Sequence, residues 1–266
     1  MAAFVTVSDQ TGTTLALPRI GHEFGADIPT VQWLYLVYTL FISALLLPMG
    51  KLSDILGRRR IYILGLTVFS AGAVMAYFGQ ELHLLLVAKA IQGIGAAMIQ
   101  ANGLALMAEA FPDRQRASAI GLYMAAIGTG AVMGPVIGGF MIDAWGWRSM
   151  YLGVAVIGAM ELLLSAYVIR DRARSTNQNR ESRGIRSFDW IGAALSAGVL
   201  SLLLLSLTYS YRLGGTNQLG LTGLSMSVLL FVGFVVRELR CEDPMIDLRL
   251  FKIPVFSIGI VARFLA

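Results

Sequence analysis

Long apolar runs separated by short charged segments make up most of the chain. A helix needs about 20 mostly apolar residues to cross a bilayer, and seven runs are long enough: 34–50, 61–79, 83–108, 117–142, 149–169, 190–209 and 219–236. A shorter run covers 2–17, and another begins near 254 and reaches the last residue, Ala266. The pattern predicts an all-α integral membrane protein with eight crossings and the start of a ninth.

The composition fits this assignment and excludes other classes of protein. Hydrophobic residues make up 56% of the chain and charged residues only 14%, where soluble domains have about 25% charged residues. The mean hydropathy is +0.70, and a water-soluble fold could not bury so much apolar surface. Cys241 is the single cysteine, which excludes a disulfide within the chain and a CxxC metal site.

The basic residues indicate how the chain is oriented. The net charge is +5, and sixteen of the 21 Lys and Arg residues fall in alternate loops, whereas the opposite loops hold three. The basic loops are 51–60, 114–116, 170–186 and 237–252. By the positive-inside bias these loops are cytoplasmic, so the basic excess reports topology and nucleic acid is not an expected partner. We expect a multi-pass protein of the cell membrane (plasma or inner), with the lipid bilayer around it.

A polar stretch divides the chain. Residues 170–189, RDRARSTNQNRESRGIRSFD, are too few for a folded domain and are typical of a cytoplasmic linker. They separate a six-helix half, 1–169, from two additional helices in 190–238. A cytoplasmic loop, 239–253, and the truncated start of the next helix, 254–266, follow.

A short pattern occurs twice in the six-helix half. The frame G-x3-D-x2-G-x-R spans residues 50–59 and, 89 residues later, 139–148. The two copies lie at opposite ends of the predicted crossings. Three-helix units of opposite topology are a common plan of secondary transporters, which favours an inverted repeat. Alternatively, both segments are ordinary helix-end loops.

The first copy lies in GKLSDILGRRR, residues 50–60. Gly50 and Gly57 permit close backbone approach and a tight turn, and Asp54 can accept hydrogen bonds at a helix N-terminus. An ordinary positive-inside loop would explain the arginines but not the glycine and aspartate frame. The segment resembles the signature G-x-L-a-D-r-x-G-r-[rk]-[rk] between the second and third helices of the major facilitator superfamily, although Ile55 replaces a residue that is usually basic.

This resemblance implies a cytoplasmic loop that latches the two halves of a transporter. The matching residues are Gly50, Leu52, Asp54, Gly57, Arg58, Arg59 and Arg60. Arg58 matches the arginine that pairs with the aspartate and with an acid at the end of the fourth helix. Glu109 is the candidate for that acid.

Residues 84–98, LLLVAKAIQGIGAAM, place Lys89 and Gln92 on one face of an apolar helix. A cation at membrane depth costs at least a few kcal/mol and normally faces a cavity or a partner; alternatively, Lys89 snorkels to the interface. The segment resembles the superfamily's fourth-helix pattern l-x3-R-x2-q-G-x-g-a-a through Gln92 and Gly93, with Lys89 in place of the arginine. We expect that replacement to change proton coupling rather than abolish it.

Residues 128–140, GTGAVMGPVIGGF, lie in an apolar run that is long enough for a helix. Their five glycines and one proline lower the helix propensity of that run. Each interior Gly costs about 1 kcal/mol against Ala, and Pro about 3 kcal/mol. In lipid, faces of the small-x3-small type let helix backbones touch, which predicts a packing face and a proline kink. The pattern G-x3-G-P-x2-G-G also resembles the fifth-helix signature of the superfamily's antiporters, whereas a generic packing stripe is the alternative. The residues concerned are Gly130, Gly134, Pro135, Gly138 and Gly139.

An acid lies within the first apolar run. Asp9 belongs to SDQTGTTLALP, residues 8–18, which resembles the first-helix D-x-T…ALP of the fourteen-helix drug:proton antiporters. Acids within the membrane are by default ion or proton sites, and the resemblance implies that Asp9 contributes to proton coupling, modulated by Lys89. Alternatively, the run is too short and Asp9 lies at a water-exposed end. Because an unpaired carboxylate is costly in the membrane, we expect Asp9→Asn to leave the fold intact.

These features predict a proton-driven exporter of drugs or other small apolar or cationic compounds, working by alternating access. The proton gradient supplies the energy, and no cofactor is expected. Neither histidine belongs to HExxH, and the GxG patterns lie within helices, so an enzyme is not expected. The alternatives are a proton-linked symporter for a small metabolite and a non-transporting membrane protein derived from a transporter. The candidate cavity residues are Gln10, Tyr38, Gln92, Met98 and Asn102.

The chain is expected to be one half of such a transporter. The predicted ninth crossing covers about 13 residues, or about 20 Å of helix, and the run 2–17 covers about 24 Å by the same arithmetic. Both fall short of a hydrocarbon core about 30 Å thick. We expect a missing C-terminal half to complete the cavity. Without that half, the Gly130–Gly138 face and the 50–60 loop should lack their partner helices.

Overall fold

The computed structural model describes residues 1–168, 188–212, 218–241 and Ile258. Within these residues the chain forms nine α-helices and no strand. They are α1 (Ala2–Phe24), α2 (Ile28–Val31), α3 (Trp33–Leu56), α4 (Arg58–Tyr77), α5 (Leu82–Ala110), α6 (Asp113–Trp145), α7 (Trp147–Val168), α8 (Trp190–Arg212) and α9 (Gln218–Arg240). Seven helical segments there are long and apolar enough to cross a membrane, namely α3 together with the short α2, and α4 to α9. The predicted all-α membrane fold is confirmed.

The first helix is longer than the sequence pattern predicted. Apolar residues give way to Pro18 and Arg19, but α1 continues through both to Phe24, where Gly25 ends it with a φ of 61° and donates its N–H to the Gly21 carbonyl. Its 23 residues span about 35 Å, whereas the apolar run 2–17 spans about 24 Å, because a proline and one arginine near its end do not stop this helix. α1 is not among the seven segments that are apolar as well as long enough to cross a membrane.

Other predicted segments fall mostly outside the described residues. This holds for the linker 170–189 except Phe188 and Asp189, for the loop 239–253 except Leu239, Arg240 and Cys241, and for the ninth crossing 254–266 except Ile258. The described part of the chain separates into two compact units, one within residues 1–168 and the other beginning at residue 188.

The first unit packs its helices in a crossed arrangement. If α1, α3 and α4 are called the first triplet and α5, α6 and α7 the second triplet, the most extensive helix pairs are α4 with α5, α1 with α6, α3 with α5 and α4 with α7. Each of these pairs joins one triplet to the other. The predicted repeat boundary therefore coincides with the main packing interface of this unit.

Two apolar clusters fill the interior of the first unit. One lies where the end of α1 meets α7, and Ile20, Leu34, Leu85 and Tyr151 are fully enclosed in it. The other joins the start of α1 to α3, α4, α5 and α7 around Tyr38, Leu66, Phe69 and Ile99. The buried polar residues of α1 and α5 described below lie on the helices that contribute to these clusters.

The second unit is described through α8 and α9, which pack against each other. Asp189 precedes α8 and accepts a hydrogen bond from the Gly192 N–H at 2.9 Å, so it caps that helix. Arg237 of α9 donates to Asp189 through Nη2 at 2.8 Å and through Nε at 2.9 Å. Burial by itself would raise the pKa of Asp189, but the hydrogen bonds from Arg237 and Gly192 outweigh it and hold that pKa below its usual range.

Candidate functional site

The two predicted coupling residues form a direct ion pair. Lys89 Nζ lies 2.9 Å from Asp9 Oδ2 and 3.1 Å from Asp9 Oδ1, although the residues are 80 positions apart. Asp9 lies on α1 and Lys89 on α5. Thr13, one helical turn after Asp9, accepts a third bond from Lys89 Nζ at 3.0 Å and donates its own hydroxyl to the Asp9 carbonyl at 2.6 Å. All three ammonium protons thus have an acceptor.

The pair is enclosed in protein. The Asp9 and Lys89 side chains are 0% and 1% exposed. The rings of Tyr38 and Tyr151 lie 5.3 and 4.7 Å from Lys89 Nζ, within cation–π range. The structure therefore encloses Lys89 in protein instead of leaving it to reach outward, and it places Asp9 inside the bundle rather than at a water-exposed end.

This geometry overturns the expectation that Asp9→Asn leaves the fold intact. That expectation assumed an unpaired carboxylate, whereas Asp9 is the counterion of a buried lysine. Removing one member of a buried pair leaves the other charge uncompensated, which costs more than the pair itself contributes. Neutralising Asp9 alone should therefore destabilise the protein.

The predicted cavity residues divide by their surroundings. Tyr38, Gln92, Met98 and Asn102 are buried between helices of the first unit. Tyr38 donates its hydroxyl to the Thr6 carbonyl at 3.1 Å, and Asn102 donates to the Met98 carbonyl at 2.7 Å.

Gln10 is the partly exposed member of this set. It donates to Thr39 Oγ1 at 3.3 Å and approaches Tyr35 Oη at 3.5 Å. These contacts join α1 to α3. Gln10 is therefore the predicted cavity residue whose side chain remains accessible in this structure.

Gln92 and Gly93 hold α5 close to its neighbours. A Cβ on Gly93 would lie 2.8 Å from the Tyr38 carbonyl oxygen, so only glycine fits there. The Gln92 side chain is fully buried, and its amide atoms have no hydrogen-bond partner among the described residues. The side chain packs against Gly72 of α4. These two residues therefore determine how close α5 comes to α3 and α4, which carries Lys89 to its position.

The glycine face of α6 packs on α1. A Cβ on Gly134 would lie 2.2 Å from Thr11 Oγ1 and 2.8 Å from the Ser8 Cα, and one on Gly130 would lie 2.7 Å from the Phe4 carbonyl oxygen. Gly138 faces Gly12, Gly139 lies against Leu15, and α6 runs through Pro135 as one helix. The expectation that this face lacks a partner was wrong, because α1 packs on it through the backbone of Phe4 and Ser8 and through the small residues Thr11 and Gly12.

The 50–60 loop was also expected to lack partner helices. That expectation was wrong, because the loop makes contacts within the first unit. Arg58 Nη2 donates to Asp54 Oδ1 at 2.8 Å, and Arg58 Nη1 donates to Glu109 Oε1 at 2.6 Å. Arg59 Nη2 donates to the Ala166 carbonyl of α7 at 3.0 Å. The structure thus brings Arg58, Asp54 and Glu109 together as the resemblance implied.

The two glycines of this loop differ. Gly57 has a φ of 99°, which favours glycine and makes the sharp turn between α3 and α4. A Cβ on Gly50 would meet nothing within 4 Å. The predicted close backbone approach at Gly50 is therefore absent from the described part of the chain.

Sequence reasoning missed Thr13 and Tyr151. Thr13 could have been found, because a residue four positions after Asp9 shares its helix face. Tyr151 reaches Lys89 from α7, and no local pattern signals that contact.

Comparison with known proteins identifies the family. The profile described as Major Facilitator Superfamily matches residues 1–239. The chain belongs to the major facilitator superfamily. Its relatives include the riboflavin transporter RibZ of Clostridioides difficile (strain 630), which is 31% identical over 260 residues that cover 97% of this chain and 54% of RibZ. The superfamily is one of membrane transporters, so its members are generally not enzymes.

Other superfamily relatives bear names of export or transport. The probable actinorhodin transporter of Streptomyces coelicolor is 34% identical, over 91% of this chain and 41% of that protein. The drug efflux pump JefA of Mycobacterium tuberculosis is 30% identical, over 99% of this chain and 51% of JefA. The chain thus spans about half the length of the curated relatives it matches.

A solved superfamily structure shares the fold. A bacterial homolog of the human lysosomal transporter Spinster, in an inward-facing and occupied conformation, superposes with a TM-score of 0.59 at 20% identity. The match covers 94% of this chain and 62% of that one. At this identity the likeness supports the major facilitator fold and carries no information about ligands.

Proposed function

We propose that this chain is the N-terminal part of a proton-coupled antiporter of the fourteen-helix subfamily, which exports small apolar or cationic compounds. The observation that carries the proposal is the buried pair between Asp9 and Lys89, on two helices of a membrane protein. Ionisable side chains at membrane depth are costly and mark proton or ion pathways. The superfamily resemblance of the segments around both residues supports the same role.

The pair can exchange a proton for a ligand because the Asp9 carboxylate binds either a proton or a cation. When the carboxylate binds a proton, its charge is lost and the attraction for Lys89 Nζ falls. When the proton leaves, the carboxylate again needs a cation, which Lys89 or a positively charged substrate supplies. One proton therefore enters as one cationic substrate leaves, so the total charge of the site is preserved.

The substrate is proposed to approach from the side of Gln10. This residue follows Asp9 in α1, is partly exposed and hydrogen-bonds Thr39 of α3. Its amide can accept hydrogen bonds from polar groups of a ligand or donate to them. The buried residues Tyr38 and Tyr151 would then act on the ligand indirectly, by holding Lys89 Nζ.

Export rather than uptake is supported by two observations. The segment 130–139 resembles the antiporter signature, and a relative at 30% identity is a drug efflux pump. The riboflavin transporter among the relatives keeps a metabolite symporter as the second candidate. Because the chain spans about half of its relatives, transport by alternating access is proposed to need a second half as well.

The test uses the full-length gene product that contains residues 1–266. Inverted membrane vesicles are energised, and a pH-sensitive dye follows the acid interior while ethidium, a cationic apolar probe, is added. We expect ethidium to release protons from the vesicles. The double variant Asp9→Asn with Lys89→Met leaves no buried charge unpaired and should abolish that release, whereas Lys89→Arg keeps the charge pair and should retain it. Ethidium uptake without proton movement, or normal release by the double variant, would contradict the proposed coupling.

A further inference from the structure

A second cluster of charged residues ties helix ends together at the opposite end of the first unit from Arg58. Glu23, near the end of α1, accepts a hydrogen bond from Trp147 Nε1 at 2.6 Å and one from Arg148 Nη1 at 2.5 Å. Arg148 Nη2 donates to the Gly79 carbonyl, between α4 and α5, at 3.0 Å. The Arg148 guanidinium also stacks 4.2 Å from the centroid of the Trp147 ring. We call Glu23, Trp147 and Arg148 the Arg148 cluster.

The end of α1 makes a further contact beside this cluster. Arg19 donates to the Asp143 carboxylate and to the Ile142 carbonyl in the last turn of α6. The α6–α7 turn thus holds α1 on both sides, through Asp143 before Gly146 and through Trp147 after it.

The Arg148 cluster matches the 50–60 loop, which we call the Arg58 loop, position for position. Adding 89 to Gly57, Arg58 and Arg59 gives Gly146, Trp147 and Arg148. Gly146 has a φ of 84°, as Gly57 has 99°, so both turns use a glycine in a conformation that other residues avoid.

The contacts correspond as well. Arg58 and Trp147 each donate to a glutamate at the end of the first helix of the other triplet, Glu109 and Glu23 respectively.

The next residue of each turn, Arg59 or Arg148, donates to a backbone carbonyl at the end of the third helix of the other triplet, that of Ala166 or Gly79. Four matched contacts at matched positions go beyond what two ordinary helix-end loops would share.

We propose that the Arg148 cluster is a second latch, the counterpart of the Arg58 loop, and that it positions the ion pair. It fixes the end of α1, which carries Asp9, and the loop that leads into α5, which carries Lys89. Arg148 itself lies one helical turn before Tyr151, whose ring faces Lys89 Nζ. The functional part of this inference rests on the proposed proton coupling, whereas the latch itself does not.

Both latches are closed in the same structure. The first unit is thus tied between its triplets at both ends. The proposal includes that both latches stay closed during transport, so that the first unit moves as one body.

The latch is tested by hydrogen–deuterium exchange on the chain in lipid nanodiscs. The Arg148–Glu23 and Arg58–Glu109 pairs are both partly exposed, so losing either should raise local opening by about threefold to fivefold. Arg148→Gln should therefore speed exchange about threefold to fivefold in residues 19–26 and 143–150 and leave 54–60 and 105–111 unchanged. Arg58→Gln should instead speed exchange in 54–60 and 105–111 and leave 19–26 and 143–150 unchanged. Arg114→Gln, at an exposed arginine of α6, should change exchange in none of these segments.

Two further variants separate pairing from general disruption. Arg148→Lys keeps a cation and a donor and should restore most of the protection. Glu23→Gln keeps an acceptor for Trp147 Nε1 but removes the charge that Arg148 contacts, so it should reproduce part of the Arg148→Gln effect. Unchanged exchange at 19–26 in both Arg148→Gln and Glu23→Gln would overturn the latch.

The positioning role is read from proton exchange in the full-length protein. Arg148→Gln should shift the pH midpoint of ethidium-driven proton release, because the ion pair is loosened, and Arg148→Lys should restore it. In a Cys241→Ser background, bridging Glu23→Cys to Arg148→Cys with a short bifunctional thiol reagent should leave release intact. Loss of release on bridging would show that the latch must open, which contradicts a rigid first unit. If ethidium moves no protons in any variant while the exchange result holds, the latch stands and the proposed coupling fails.

Discussion

The pair between Asp9 and Lys89 and the pair between Arg58 and Glu109 use the same chemistry in different surroundings. Both join α5 to another helix with oxygen–nitrogen distances of 2.9 and 2.6 Å. The first pair is enclosed, whereas the Arg58 and Glu109 side chains are 33% and 57% exposed. The shorter contact is the weaker one energetically, because water already solvates its charges.

The comparison shows why the enclosed pair is the better candidate for coupling. A proton that binds an exposed carboxylate changes little, since water replaces the lost partner. A proton that binds Asp9 leaves Lys89 without a counterion in a low-dielectric interior, so the surrounding helices must respond. The exposed pair is suited to holding helix ends and the enclosed pair to sensing a proton.

The largest effect is expected from breaking the enclosed pair. Asp9→Asn should lower the free energy of unfolding by about 3–5 kcal/mol, since it leaves Lys89 buried and unpaired. The double variant Asp9→Asn with Lys89→Met should recover most of that loss. Denaturation in mixed micelles measures both. A double variant as unstable as the single one would show that the lysine charge is not the cause.

The next largest effect is expected from the packing of α1 on α6, which helps to enclose the pair. Gly134→Ala places a methyl group within 2.2 Å of Thr11 Oγ1 and 2.8 Å of the α1 backbone, so α1 must move away from α6. We expect a loss of about 1–3 kcal/mol. Gly128→Ala, on the same helix with nothing within 4 Å, should instead be neutral or slightly stabilising. Equal stability of the two variants would exclude a close packing of α1 on Gly134.

A third pair, Asp189 with Arg237, is intermediate, because Asp189 is 3% exposed and Arg237 is 37% exposed. The folded pKa of Asp189 is held below its usual range, so its contribution to stability is complete above the unfolded pKa of about 3.9. It is lost as the pH falls through the lower folded pKa. The stability difference between the native chain and Asp189→Asn should therefore be largest near neutral pH and vanish in strong acid. A difference independent of pH would contradict this account.

The sequence predicted the helices well and their contacts less well. Hydropathy located the membrane-length helices, yet it misjudged α1 at Pro18 because a hydropathy run does not register that a helix can continue through proline. Asp9 and Lys89 were both singled out, but their contact depends on how α1 and α5 pack, which no local pattern encodes. The small residues of α6 indicated a close partner without indicating which helix it is.

The smallest effect is expected from the exposed pair. Arg58→Gln should change the free energy of unfolding by no more than about 1 kcal/mol, and the change should shrink in high salt, because exposed charges are screened. Arg60→Gln, at an exposed arginine two positions away, supplies the matched control for loss of positive charge. Denaturation at low and high salt measures both variants. An Arg58→Gln loss that approaches that of Asp9→Asn, or that persists in high salt, would mean that the Arg58 contacts are shielded from water and that exposure does not separate the two kinds of pair.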